Sequence, residues 1–370
     1  MSLFLGERVE KTEDNKYGWN DKISLESIDA TKPVIICLPG SSTINGFHSN
    51  GMCSSIERML GTCPIKPCKI YGVYYGLPAG TGKYESLYFD SKANGENYDL
   101  ASLPTRSQMV VQDIQLFSKQ LVRSVFMPLV QDEKGQLYNP LEIARKFRNI
   151  HFVSFCFGSV VQSAINQELR QYLLSTGLDI NTIEKLESQI CNLQLAPIAS
   201  ETKTCQTTIN FVSLGDEETI NKPIEQKALY DYNQQSNQDI IGGISKSPNV
   251  NPTVYVKEFT TLPRDEEHSG GYYMHFLHEW INGGEKYEEQ VGGILPLCAA
   301  VCLRRAMQNA VSNNRTARYV PLSSDDVVKP CAKFLDWANF HPQELPQSLL
   351  EVYNQHVDYE NTNLIETLNQ

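Results

Sequence analysis

The 370-residue sequence contains no apolar run near the roughly 20 residues that a membrane-spanning helix needs, so no transmembrane segment is expected. It is also short of positive charge. Lys and Arg number 32 against 43 Asp and Glu, for a net charge of −11. Phosphate affinity comes from clustered cations, so nucleic acid is excluded as a main partner. The opening MSLFLGERVEKTEDNKYGWNDK turns charged after five residues, too soon for the apolar stretch of a secretory signal. The expected location is therefore cytoplasmic, with the ten cysteines held as thiols. Their spacing lacks the pattern of a metal site. Cys63 and Cys68 bracket two prolines with no second pair following, and Cys298 and Cys302 fall at i, i+4 on an apolar helix face. No metal is expected.

Two further signatures fail by a residue or two. Gly80-Thr81-Gly82-Lys83 resembles a phosphate loop, but Leu77 and Tyr84 stand where Gly and Ser or Thr are required. His275-Phe276-Leu277-His278-Glu279 matches neither order of the zinc-protease helix. No internal repeat is visible, and no cofactor is implied.

What is present is a core. Hydrophobic residues make up 41% of the chain, with 18 Tyr and 14 Phe. Short apolar runs at 33–40, 69–76, 149–158, 193–199, 207–216 and 253–259 read as buried strands. Between them 50–61 reads as a helix ended by Gly. Val110, Ile114, Phe117, Leu121 and Val125 mark another, and 159–174 a third. Alternation of this kind predicts an α/β fold, a mostly parallel sheet with helices on both faces. The stretch 77–106 is polar and Gly-rich, 217–252 reads as a long loop or partly ordered excursion, and the first 30 residues as loosely held. From about Tyr272 the pattern is helical. The expected organisation is an extension over 1–30, a core over 31–290 and a helical C-terminal extension over 291–370.

The informative junction is Ser154-Phe155-Cys156-Phe157-Gly158, where the strongest strand runs straight into a helix. A nucleophile elbow is such a turn. It needs small residues two before and two after the reactive side chain, because strand and helix backbones nearly touch there. Ser154 and Gly158 meet that demand around Cys156, and the N-terminus of the following helix favours a thiolate. The elbow predicts a positive φ at Cys156 and a helix beginning at Ser159. Ser159 is the fallback nucleophile, but Phe157 and Val161 are bulky at its flanks. A buried core cysteine is the plain alternative.

The junction resembles the α/β-hydrolase fold, in the dienelactone-hydrolase-like variant with Cys in the elbow, over about residues 33–285. The resemblance implies a triad in the chain order nucleophile, acid, histidine. Asp216 closes the run at 207–216 and His268 follows the strand at 253–259. Glu201 is the alternative acid, while His275 and His278 suit amphipathic helix positions. The family's oxyanion loop usually begins His-Gly. Here Pro39-Gly40-Ser41 stands instead, and the backbone N–H groups of Ser41 and Phe157 would stabilise the oxyanion.

The implied activity is hydrolysis of an ester or thioester, or related acyl transfer, on a small-molecule or acyl substrate, with no cofactor. A second reading is a catalytically inactive scaffold that binds a protein partner. The polar end HVDYENTNLIETLNQ resembles the C-terminal tails of effectors that bacteria inject into host cells, which implies translocation without a signal peptide.

Overall fold

A computed structural model of the chain describes residues 3–10, 12–16, 18–41, 45–60, 69–75, 77, 81–93, 95–199, 206–213, 243–247, 250–256, 302–310, 312 and 327. The strands are β1 (Phe4–Arg8), β2 (Trp19–Asn20), β3 (Val34–Leu38), β4 (Lys69–Tyr74), β5 (Ile150–Phe155), β6 (Cys191–Leu195), β7 (Thr207–Ser213), β8 (Gly243–Ser247) and β9 (Val250–Val256). They form one sheet in the order β2-β1-β4-β3-β5-β6-β7-β9-β8. From β4 through β9 each neighbouring pair is parallel; β1 and β8 pair antiparallel with β4 and β9. The fold class is α/β, with a mostly parallel sheet.

Helices α1 (Gly46–Leu60), α2 (Lys83–Ala93), α3 (Thr105–Leu121), α4 (Met127–Val130), α5 (Pro140–Phe147), α6 (Gly158–Ser175) and α7 (Ile180–Glu187) connect the strands. Strand side chains alternate between the two faces. Ile36, Leu38 and Phe152 form one core with Val111, Ile114 and Leu121 of α3 and Val161, Ile165 and Leu169 of α6. Removing each such side chain from water contributes about 2 kcal/mol. Ile35 and Cys37 face the other way, where the thiols of Cys37 and Cys53 of α1 hydrogen-bond. Helical residues 302–310 join α1, with Arg304 donating to the Leu60 carbonyl at 3.0 Å.

Several elements depart from the sequence pattern, each for a local reason. The first residues are not loose: β1 pairs with β4 along its whole length and buries Leu5. Inside the polar, Gly-rich stretch 77–106, α2 turns Glu85, Ser86 and Asp90 inward beside Tyr88 and Phe89, so it carries no apolar stripe to read. The helix at 50–61 starts earlier, at Gly46. Beyond α3 the helix widens into a π-helical turn over Val122–Phe126. Pro128 explains it, because proline cannot donate to the carbonyl four residues back and its ring crowds that carbonyl.

The segment 217–252 contains β8, a polar edge strand that pairing alone specifies. Its partner β9 runs back past Pro252 to Val250, and a register shift between Ser245 and Ser247 absorbs the missing N–H. Among the described residues no helix is long and apolar enough to cross a membrane.

Candidate functional site

The site is built on β5, whose six residues are all buried between β3 and β6. The strand ends at Phe155. Cys156 then adopts φ 49°, and α6 begins two residues later at Gly158. A non-glycine residue in the left-handed region costs about 1–3 kcal/mol and persists only where its surroundings fix it. Here they do. The Cys156 N–H donates to the Leu195 carbonyl at 3.0 Å, tying the turn to the end of β6. The Cys156 carbonyl accepts from the Ser159 N–H at 3.0 Å and from the Ser159 Oγ at 2.7 Å.

Ser159 does more than close this turn. Its Oγ also accepts from the N–H groups of Ile198 and Ala199, at 2.9 and 3.0 Å. A fully buried hydroxyl with three such bonds is a structural clip, which removes Ser159 as an alternative nucleophile.

The two small residues flank the turn. A Cβ on Gly158 would lie 1.8 Å from the Leu38 carbonyl oxygen, so the first residue of α6 can only be glycine if β3 is to stay in place. Ser154 is fully buried, and its Oγ makes no hydrogen bond.

The parallel register sets Leu38 opposite Ser154, so the chain leaving β3 runs alongside the turn. A Cβ on Gly40 would come within 3.6 Å of the Cys156 Cβ and about 3.0 Å of the Phe155 ring. Ser41 follows in a turn, half-buried. Tyr75, just past β4, is fully buried and donates its hydroxyl to the Pro39 carbonyl. Its ring stands edge-on to Phe157, with centroids 5.6 Å apart. Burial, and to a lesser degree the nearby Cys156 thiol, push the Tyr75 hydroxyl well above the usual tyrosine range, so it is a neutral donor. The start of α2 closes another side: a Cβ on Gly82 would meet Ile198 at 2.8 Å and Phe157 at 3.6 Å. Glu85 secures that helix start by accepting from the Gly82 N–H at 2.9 Å.

The structure therefore brings Cys156, Phe157, Ser154, Gly158 and Ser41 to one end of the sheet. Asp216, Glu201, His268, His275 and His278 lie outside the described residues. Sequence reasoning passed over Tyr75 and the clip at Ser159. Position supplied a signal for Tyr75, since the residue after β4 must come near the loop after its parallel neighbour β3.

Other groups with suitable chemistry are placed elsewhere. His151 lies five residues before Cys156 on the same strand, about 16 Å away at the usual strand rise. Neither of its ring nitrogens has a hydrogen-bond partner, and burial pulls its pKa down to about 4. Cys37, Cys53, Cys191 and Cys302 are buried thiols, whereas Cys156 is half-buried. A cleft of about 520 Å³ between α2 and α6 is lined by Tyr88, Gln115, Gln167 and Arg170, but Arg170 is already paired with Glu187 and Glu184. Among the described residues no three of His, Cys, Asp and Glu gather as metal ligands.

No protein-family model matches this chain, and no curated protein is similar to it.

Proposed function

We propose that the chain is an enzyme of α/β-hydrolase type that cleaves an ester or thioester, or transfers its acyl group, through Cys156. The observation that carries the reading is the left-handed Cys156 at the strand–helix turn, with Gly158 against the Leu38 carbonyl. That strain holds a half-exposed thiol at the first turn of a helix, beside a loop with backbone donors. Sites in parallel sheets form outside the carboxyl ends of the strands. Cys156 lies there, and Asp216 and His268 follow β7 and β9 in the chain.

In this mechanism His268 takes the Cys156 proton as the sulfur bonds to the carbonyl carbon. The oxyanion is held by the Ser41 and Phe157 N–H groups. The C–O or C–S bond to the leaving group breaks, and that group departs with the proton from His268. Water, deprotonated by His268, attacks the thioacyl carbon; the S–C bond breaks, releasing the acid and the thiol. Asp216 orients His268 throughout. The substrate is a small acyl compound, and no cofactor takes part.

The test is a panel of p-nitrophenyl esters and acyl thioesters against wild type and Cys156→Ala, with limiting iodoacetamide labelling near neutral pH. Turnover should fall by about a thousandfold or more in the variant. In wild type, labelling should reach Cys156 before the buried cysteines. Turnover that survives the substitution, or labelling that favours another cysteine, overturns the reading.

A further inference from the structure

We infer that Tyr75 is a positioning residue for the oxyanion loop, locking Pro39-Gly40-Ser41 against the elbow through its hydroxyl. The inference rests on the acyl-transfer reading. Two contacts carry it. The buried hydroxyl donates to the Pro39 carbonyl, which is the last peptide oxygen before Gly40. The ring packs edge-on against Phe157, the residue directly after Cys156. One side chain thus bonds to the backbone of the loop and packs on the side chain of Phe157, the two places whose N–H groups would face the oxyanion.

The neighbouring contacts fix the loop from the other side. A Cβ on Gly40 would meet the Phe155 ring at about 3.0 Å and the Cys156 Cβ at 3.6 Å, so the loop runs close against the elbow. The Tyr75 hydroxyl, bonded to the Pro39 carbonyl, holds it there. A neutral phenol fixes the loop without adding charge. The donor geometry is thereby set before the reaction rather than during it.

The role has a signature that general damage does not share. Acyl transfer develops charge on a carbonyl oxygen and needs the loop. Alkylation by iodoacetamide forms an S–C bond as the C–I bond breaks, releases iodide, and needs only the thiolate. Tyr75→Phe in the full chain should therefore lower kcat for p-nitrophenyl acetate by about tenfold or more, with KM within about twofold. The rate of Cys156 alkylation, followed against pH, should stay as in wild type. Gly40→Ala, whose Cβ would crowd the Phe155 ring in the same loop, should lower kcat likewise and serves if Tyr75→Phe does not fold.

Turnover and alkylation falling together would overturn the inference, since Tyr75 would then merely support the elbow. Turnover left intact by either folded variant also overturns it. A wild type that turns over neither esters nor thioesters overturns the acyl-transfer reading itself, and this role with it.

Discussion

Cys191 and Cys156 lie on neighbouring parallel strands at opposite ends of the sheet, and they show what makes a thiol useful. Cys191 has a histidine directly across from it, since its register partner on β5 is His151. The pair looks catalytic on paper. Yet burial pushes the Cys191 thiol up to about 12 and pulls His151 down to about 4, so both stay neutral. Cys156 instead stands half-exposed at a helix start on a strained turn. Adjacency of thiol and imidazole inside a dry sheet gives no ion pair, because neither charge is solvated. Access and a helix terminus matter more.

The sharpest way to break the contrast is Gly158→Ala. The added Cβ would fall 1.8 Å from a strand carbonyl, and packed backbone cannot yield that much. Loss of at least about 4 kcal/mol in denaturant titration, or failure to fold, is the expected outcome. A folded protein of near-normal stability would mean that α6 and β3 are not in contact.

The Cys191 end should reveal itself through acid. The folded pKa of His151 is near 4, below its ordinary value of 6.5, so the unfolded chain binds the extra proton first as pH falls. Stability is whole above about pH 6.5 and declines toward pH 4, by about 3 kcal/mol in all from this residue. His151→Leu should flatten that part of the stability–pH curve. An unchanged slope between pH 6.5 and 4 would show that the imidazole is solvated.

The smallest effect concerns strain alone. Glycine occupies positive φ freely, so Cys156→Gly should be more stable than Cys156→Ala by about 1 kcal/mol, although both lack the thiol. Equal unfolding midpoints would argue that the turn stores no strain.

How much of this was legible in the sequence depended on whether a signal was local. The run at 149–158 followed by an amphipathic stretch was enough to find β5, the turn and α6, because strand, small residues and helix are contiguous. The inner face of α2 was not legible, since Glu85, Ser86 and Asp90 look like solvent-facing residues until their hydrogen bonds are seen. β8 carries too few apolar side chains to announce a strand. At the site, Cys156 could be picked out by spacing. Tyr75 could not be picked out by spacing, because its role depends on a carbonyl at Pro39, brought beside it only by the pairing of β3 with β4. The acid and the histidine rest on chain order alone.

The Ser159 clip has a consequence for how the molecule opens. The amide protons of Ile198 and Ala199 belong to no strand, and a loop of that kind would ordinarily exchange with solvent by local fraying. Bound to a buried hydroxyl at the start of α6, they are protected for as long as that hydroxyl holds them. The beginning of the loop after β6 and the elbow therefore form one cooperative unit, breathing together on the slow timescale of the core.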